Sequence, residues 1–205
     1  MTRSCWLVFA VALVISAPAR ADDAQPPSAT ADPQAKPPAE PEAKTPAEAA
    51  AELFDRLART QDADEAAGIV SAISRLWLAS GSDTSDLLMS RALQAMQEKS
   101  FPLALEVLDS IVDLQPDWAE AWNKRATVRY LAGDSQGSMA DIAETLKREP
   151  RHLGALAGLG AILEEAGRRE EALQVYQRGL EIAPHYGPMK DAVDRLKAAL
   201  VGQTL

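Results

Sequence analysis

The chain has two histidines, His152 and His185, and these are the side chains best suited to metal binding or proton transfer. A protein zinc site needs three or four protein ligands, whereas the residues around this pair are Arg151, Tyr186 and Gly187. Each histidine also follows closely after a proline. We therefore interpret both as residues at helix boundaries and predict no metal site.

Two carboxylate pairs, Glu164-Glu165 and Glu170-Glu171, could supply general acids. That role requires a pKa raised by an apolar cleft, and these pairs flank a predicted turn on solvated helix faces. The glycine-rich stretch at 154–160 lacks the preceding strand that a phosphate-binding loop requires. The sequence also has no Ser/His/Asp set and no zinc-protease spacing. We predict a protein that is not an enzyme, with no catalytic residue and no cofactor.

The net charge of −9 makes the chain strongly acidic. Surfaces that bind nucleic acid or anionic lipid need clustered lysine and arginine, so we expect no nucleic-acid partner. The single cysteine, Cys5, lies in an apolar N-terminal run. The rest of the chain therefore has no thiol for catalysis, metal binding or disulfides.

Residues 1–21 have the pattern of a secretory signal peptide. Arg3 supplies the positive start, residues 5–17 form an uncharged run, and Ala19-Arg20-Ala21 is a small-x-small cleavage pattern. A membrane-spanning helix needs about 20 apolar residues, and this run is shorter. We predict export to the periplasm. The alternative is an uncleaved signal that anchors the protein to the inner membrane, and membrane contact is expected only in that case.

Residues 22–47 hold seven of the thirteen prolines and no aromatic residue. Such a segment cannot bury enough apolar surface to offset the entropy of ordering its backbone. We predict a disordered Pro/Ala-rich arm here. From residue 48 onward, apolar residues recur at helical spacing, which predicts a helix pair over 48–84.

A repeat of 34 residues follows, marked by Pro116, Pro150 and Pro184. In a helix–turn–helix repeat, large residues fill the space between paired helices, small residues allow close crossing, and glycine closes the first helix. Proline after the second helix stops it. Aligning the chain on the prolines produces these columns: Leu88, Trp122 and Leu156; Ala92, Ala126 and Gly160; Lys99, Gly133 and Gly167; Ala104, Ser138 and Ala172; Leu108, Ile142 and Tyr176.

This pattern resembles the tetratricopeptide repeat (TPR) family. The resemblance implies an all-α, right-handed helical solenoid with three repeats, at 85–118, 119–152 and 153–186. A degenerate N-terminal helix pair at 48–84 precedes them, and a C-terminal capping helix and tail at 187–205 follow. With its signal and arm, the chain is similar to periplasmic TPR proteins of Gram-negative bacteria. Those proteins generally act as adaptors in envelope assembly or maintenance, which the resemblance implies here as well.

The resemblance also implies where a partner binds, because the first helix of each repeat lines the concave groove of such solenoids. Relatives that clamp a C-terminal carboxylate use several Lys, Arg and Asn side chains, and only Asn123 and Lys124 fit that chemistry here. We therefore predict an unidentified protein or peptide partner with an apolar anchor. The residues predicted to form this partner groove are Met89, Leu93, Met96, Asn123, Lys124, Thr127 and Tyr130.

The sequence leaves three alternatives open. Helices at 49–60 and 64–80 could cover the Met-rich end of the groove and make its residues ordinary core. The protein could assemble with copies of itself as a structural scaffold, and so be a homo-oligomer. It could also be a non-catalytic accessory subunit of an enzyme complex of the envelope or of cytochrome assembly.

Overall fold

The computed structural model describes residues 44–201, and every regular element in that range is an α-helix. The predicted all-α class is therefore confirmed. The predicted signal peptide at 1–21, and the predicted arm up to residue 43, lie outside the described residues. Within 44–201, none of the helices has the length and apolar character needed to cross a membrane.

The helices are α1 (Pro46–Arg59), α2 (Ala63–Trp77), α3 (Asp83–Gln97), α4 (Phe101–Leu114), α5 (Ala119–Leu131), α6 (Ser135–Arg148), α7 (Leu153–Glu165), α8 (Arg169–Ile182) and α9 (Gly187–Val201).

Helix α1 begins at Pro46, inside the stretch that the proline content assigned to the arm. Thr45 and Glu48 form a capping box. The Thr45 hydroxyl accepts a hydrogen bond from the Glu48 N–H at 3.2 Å, and the Glu48 carboxylate accepts one from the Thr45 N–H at 2.8 Å. Proline fits the first turn because the N–H it lacks has no partner within the helix there.

The helix pairs α3–α4, α5–α6 and α7–α8 share one way of closing their first helix. The residues just past these helices, Lys99, Gly133 and Gly167, have left-handed φ angles of 56°, 87° and 74°. In each pair the following N–H donates to the carbonyl five residues back, as Ser100 does to Ala95 at 2.8 Å. This is the Schellman closure of a helix. Its recurrence supports the 34-residue alignment, and the predicted helical solenoid is confirmed.

Gly160 shows why small residues recur at the crossings of paired helices. Helix α7 passes α8 so closely that a Cβ on Gly160 would lie 2.4 Å from Cζ of Tyr176. The buried Tyr176 ring fills the space that a side chain on α7 would need. Ala92 and Ala126, in the same column, are buried as well.

The core consists of three apolar clusters between neighbouring helices. One cluster lies between α3, α4 and α5 and includes Leu108 and Ile111. A second joins α5, α6 and α7 around Ile142 and Ile162. The third joins α7, α8 and α9 to α1 and α2. Apolar surface is thus buried along the whole row of helices, as expected for a solenoid in which each unit packs on its neighbours.

Helices α1 and α2 form a hairpin (residues 46–77) that lies beside the solenoid instead of extending it. Its residues Phe54, Leu57 and Ile73 belong to the cluster that contains α7, α8 and α9. Helix α1 contacts α8, and α2 contacts α9. At the other end of the hairpin, the Trp118 indole N–H donates to the Trp77 carbonyl at 2.8 Å. The hairpin therefore follows the edge of the solenoid where the turns between helix pairs lie.

Candidate functional site

The candidate site is the groove between α5 and α7, the first helices of two successive pairs. A cavity of about 100 Å³ opens there. Three of the residues predicted for the partner groove meet in it, namely Asn123, Thr127 and Tyr130. The complete lining consists of Asn123, Ala126, Thr127, Tyr130, Ser138, Ile142, Gly154, Gly158 and Ile162.

The cavity results from the helical periodicity of α5 and from a glycine on the facing helix α7. Asn123, Thr127 and Tyr130 recur at steps of four and three residues, so they share one face of α5. Opposite them, α7 presents Gly158. A Cβ added to Gly158 would meet only Ile142 Cδ1 within 4 Å, at 3.5 Å. The position is therefore open, and the space above the apolar floor can receive a side chain from a partner.

The rim of the groove consists of polar groups that are already hydrogen-bonded. The Thr127 hydroxyl donates to the Asn123 carbonyl at 2.9 Å, and the Tyr130 hydroxyl donates to the Glu165 carboxylate. That hydrogen bond is the main reason that the pKa of Tyr130 is raised above its ordinary value. Tyr130 is thus a neutral hydrogen-bonding group at neutral pH. The rim can orient a bound segment by hydrogen bonds.

The structure places Met89 in the core instead of the groove. Its side chain is only 2% exposed, and it packs in the cluster between α3, α4 and α5. Leu93 and Met96 are half-buried against the same cluster. Leu78, directly after α2 and inside the predicted 64–80 helix, packs against the same cluster. Most of the cover nevertheless comes from α4 and α5, since the apolar face of α3 packs on its own partner helix and on the next pair.

Lys124 pairs with a buried carboxylate. Its Nζ lies 2.8 Å from Oε1 of Glu120, one helical turn earlier. Glu120 Oε2 is 2.8 Å from Nε2 of His152 and 3.1 Å from Nδ2 of Asn123. His152 itself caps α7, because its Nδ1 accepts a hydrogen bond from the Ala155 N–H at 3.1 Å. This agrees with the interpretation of His152 as a helix-boundary residue.

Glu120 remains ionised in spite of its burial. Burial alone would raise the pKa of this carboxyl, but the hydrogen bond from His152 and the positive charge of Lys124 hold the pKa below its ordinary value. The sequence analysis missed Glu120. The available signal was its i,i+4 spacing to Lys124, which is also found on many solvent-exposed helix faces.

A second cavity, of about 350 Å³, lies between the hairpin and the turns that join the helix pairs. Glu120 and Trp77 both line it, so this carboxylate lies on the side of α5 that faces the hairpin. Among residues 44–201, no group of three or more His, Cys, Asp or Glu side chains is arranged to hold a metal ion.

Comparison with known proteins gives the following picture. No protein-family model matches the chain. A TPR repeat-containing protein of Rhizobium etli is 42% identical over 151 residues, which make up 74% of this chain and 74% of that protein. Small glutamine-rich tetratricopeptide repeat-containing protein 2 of Mycosarcoma maydis is 27% identical over 116 residues, 57% of this chain and 33% of that protein.

Two solved structures have the same fold. The first TPR domain of Spaghetti (RPAP3), solved with the HSP90 peptide SRMEEVD, has a TM-score of 0.54 at 17% identity and covers 57% of this chain and 93% of its own. The Sgt2 TPR domain of Aspergillus fumigatus has a TM-score of 0.55 at 19% identity and covers 60% of this chain and 83% of its own. At these identities the likeness concerns the fold alone.

Proposed function

The chain belongs to the tetratricopeptide repeat family, as its 42% identity to the Rhizobium etli protein establishes, and from that premise we propose that it is a non-catalytic adaptor. It binds a peptide segment of another protein in the groove between α5 and α7. The observation that carries this proposal is the cavity in that groove, with an apolar floor and a hydrogen-bonding rim. Helical solenoids use such extended surfaces for binding.

The size of the cavity indicates which anchor it accepts. A dry cavity of about 150 Å³ holds one benzene molecule, so a cavity of about 100 Å³ suits a single short aliphatic side chain. The nearby cation, Lys124, is neutralised by Glu120. The Spaghetti domain was solved with a peptide that contains acidic residues and ends in a carboxylate. Because the groove of this chain lacks a free cation cluster, we propose that it selects an apolar anchor over a terminal carboxylate.

Filling the groove tests this proposal. The probe is the tightest dodecamer selected from a displayed random peptide library on the full chain. Gly158→Leu places a side chain in the cavity, and we expect it to weaken peptide binding by about tenfold or more, as for loss of a central anchor contact. Gly68→Leu is the matched control, because it is also a helical glycine and has no atom within 4 Å of an added Cβ. Equal binding by both variants would refute the groove as the site.

We further propose that the adaptor works outside the cytoplasm, in assembly or maintenance of the cell envelope. The signal-like residues 1–21 support this location, and so does the absence of cysteine from residues 22–205. A non-catalytic adaptor with a peptide-binding groove fits a role in bringing envelope proteins together.

A further inference from the structure

Four side chains in successive contact connect the hairpin to the groove. The Trp77 ring stacks on the His152 imidazole, with ring centroids 4.5 Å apart and planes 20° from parallel. The next contact joins His152 Nε2 to Glu120 Oε2 at 2.8 Å. The same carboxylate oxygen accepts a hydrogen bond from Nδ2 of Asn123, which lines the groove. The path from the hairpin to the groove therefore has no gap.

The hydrogen bonds fix the direction of each contact along this path. Nδ1 of His152 accepts a hydrogen bond from the Ala155 N–H, so a neutral ring carries its proton on Nε2. The Nε2–H group then donates a hydrogen bond to the Glu120 carboxylate. His152 is 3% exposed and Glu120 is 2% exposed. Both side chains are therefore almost entirely shielded from water.

The groove itself begins where this path ends. A Cβ added to Gly154, which lines the cavity, would lie 3.3 Å from Cε1 of His152 and 3.9 Å from Nδ2 of Asn123. The imidazole, the Asn123 amide and the α7 backbone thus meet at one point on the rim. A shift of the imidazole or the carboxylate would therefore also displace the groups at this point of the rim.

We propose that Glu120 is a positioning residue that couples docking of the hairpin to the groove, by holding the Asn123 side-chain amide in its binding orientation while Trp77 covers His152. This inference rests on the proposed function of the groove. Docking of the hairpin keeps water away from the carboxylate, so its hydrogen bonds to Asn123 and Lys124 are made in a medium of low dielectric constant. When the hairpin separates, water competes for the carboxylate and the amide becomes free to rotate.

The hairpin is suited to such a role because it is joined to the solenoid less extensively than paired helices are joined to each other. Far more extensive contacts join α5 to α6, and α7 to α8, than join α1 or α2 to α8 and α9. Regions with few contacts to the rest of a protein open most readily. Two states, docked and separated, are what coupling between distant sites requires.

Two variants interrupt the path on the hairpin side. Trp77→Leu keeps an apolar contact and removes the ring stacked on His152. His152→Asn keeps a cap for α7, since asparagine accepts the Ala155 N–H well, and removes both the stack and the bond to Glu120. Trp122→Leu is the control of equal size, because Trp122 lies between Arg125 and Arg148 and outside this path. Circular dichroism of each full-length variant checks that the helices are retained.

We expect Trp77→Leu and His152→Asn to weaken binding of the selected dodecamer by about fivefold or more, within the usual range of coupling between sites. Trp122→Leu should bind as the unaltered protein does. Unchanged binding by both hairpin-side variants would overturn the coupling. If no dodecamer binds the unaltered protein, the proposed function itself fails.

A peptide-free measurement decides the coupling independently. Proton exchange of the Asn123 side-chain amide, followed by NMR, should accelerate in Trp77→Leu, in His152→Asn and in Glu120→Met, which removes the carboxylate oxygen that accepts from Asn123. Acceleration in Glu120→Met alone would show that Glu120 orients Asn123 without the hairpin, and would overturn the proposal. A role of Trp77 in general stability would not move this one amide selectively.

Discussion

Lys99 is the residue at which the chain departs most clearly from its own repeat. It takes the place held by Gly133 and Gly167, and it adopts the same left-handed backbone, with φ of 56°. A side chain in that conformation brings Cβ close to the following carbonyl, at a cost of roughly 1–2 kcal/mol. The closure nevertheless forms, because the hydrogen bonds of Lys99 to Met96 and of Ser100 to Ala95 satisfy the end of α3.

Replacing Lys99 by glycine should therefore stabilise the protein. We expect Lys99→Gly to raise the free energy of unfolding by about 0.5–1 kcal/mol, because relief of the backbone strain exceeds the extra chain entropy that glycine brings to the unfolded state. Thermal unfolding should show a rise in Tm of about 2 °C for a chain of this size.

Lys99→Ala is the matched control for that substitution. It removes the same charge and retains Cβ, so it should give no comparable gain. Equal stabilisation by both substitutions would show that the lysine charge, and not the left-handed backbone, is the source of the strain.

The groove residues show which site residues the sequence could predict and which it could not. The register of the TPR resemblance placed Asn123, Thr127 and Tyr130 on the groove face of α5, and the structure brings all three to one cavity. The same reasoning placed Met89 in the groove, yet Met89 is core. Spacing along one helix identifies a shared face. It does not tell which neighbouring helices cover that face.

At the scale of elements, the hairpin is the part of the fold whose position is least evident from its own helices. Both helices are amphipathic, and Leu57 on α1 is fully buried at 0% exposure. The apolar face of this hairpin is buried in the cluster of α7, α8 and α9. Segments far apart in the sequence, at 46–77 and 153–201, thus depend on each other for burial.

Shortening Leu57 should loosen both segments together. We expect Leu57→Ala to lower the free energy of unfolding by about 2–5 kcal/mol, the usual cost of a cavity in a core. Hydrogen exchange should then accelerate in α1 and α2 and, by a similar factor, in α9. Leu87→Ala is the control, since Leu87 is 72% exposed and should change stability by less than about 0.5 kcal/mol.

A result confined to the hairpin would contradict this interpretation. If exchange accelerates in α1 and α2 of the Leu57→Ala protein and stays unchanged in α8 and α9, then the hairpin does not contribute to the stability of the C-terminal helices.

At the scale of the whole molecule, the proposed export would change the net charge. Without residues 1–21, which carry Arg3 and Arg20 and no acid, the net charge of the chain changes from −9 to −11. A net charge of this size keeps a protein soluble. An acidic chain with no cysteine after residue 21 is compatible with the proposed export to an oxidising compartment.

Export predicts a defined N-terminus for the mature protein. Mass spectrometry of protein from a periplasmic fraction should find a chain that begins at Asp22, because signal peptidase cleaves after a small-x-small pattern. Ala21→Leu should block cleavage and retain Arg20 and the apolar run. A full-length chain in the cytosol would refute export, and a full-length chain in the membrane fraction would support the uncleaved anchor instead.

The sequence by itself determined the helical class, the 34-residue period and the closure of each first helix. These are set by local rules, since spacing, glycine conformations and proline positions act within a few residues. Only the tertiary structure decided where the hairpin docks, that Met89 is core, and that Glu120 lies between Trp77 and Asn123. Those outcomes depend on which distant surfaces bury each other, and an amphipathic pattern states that a face is buried without naming the surface that covers it.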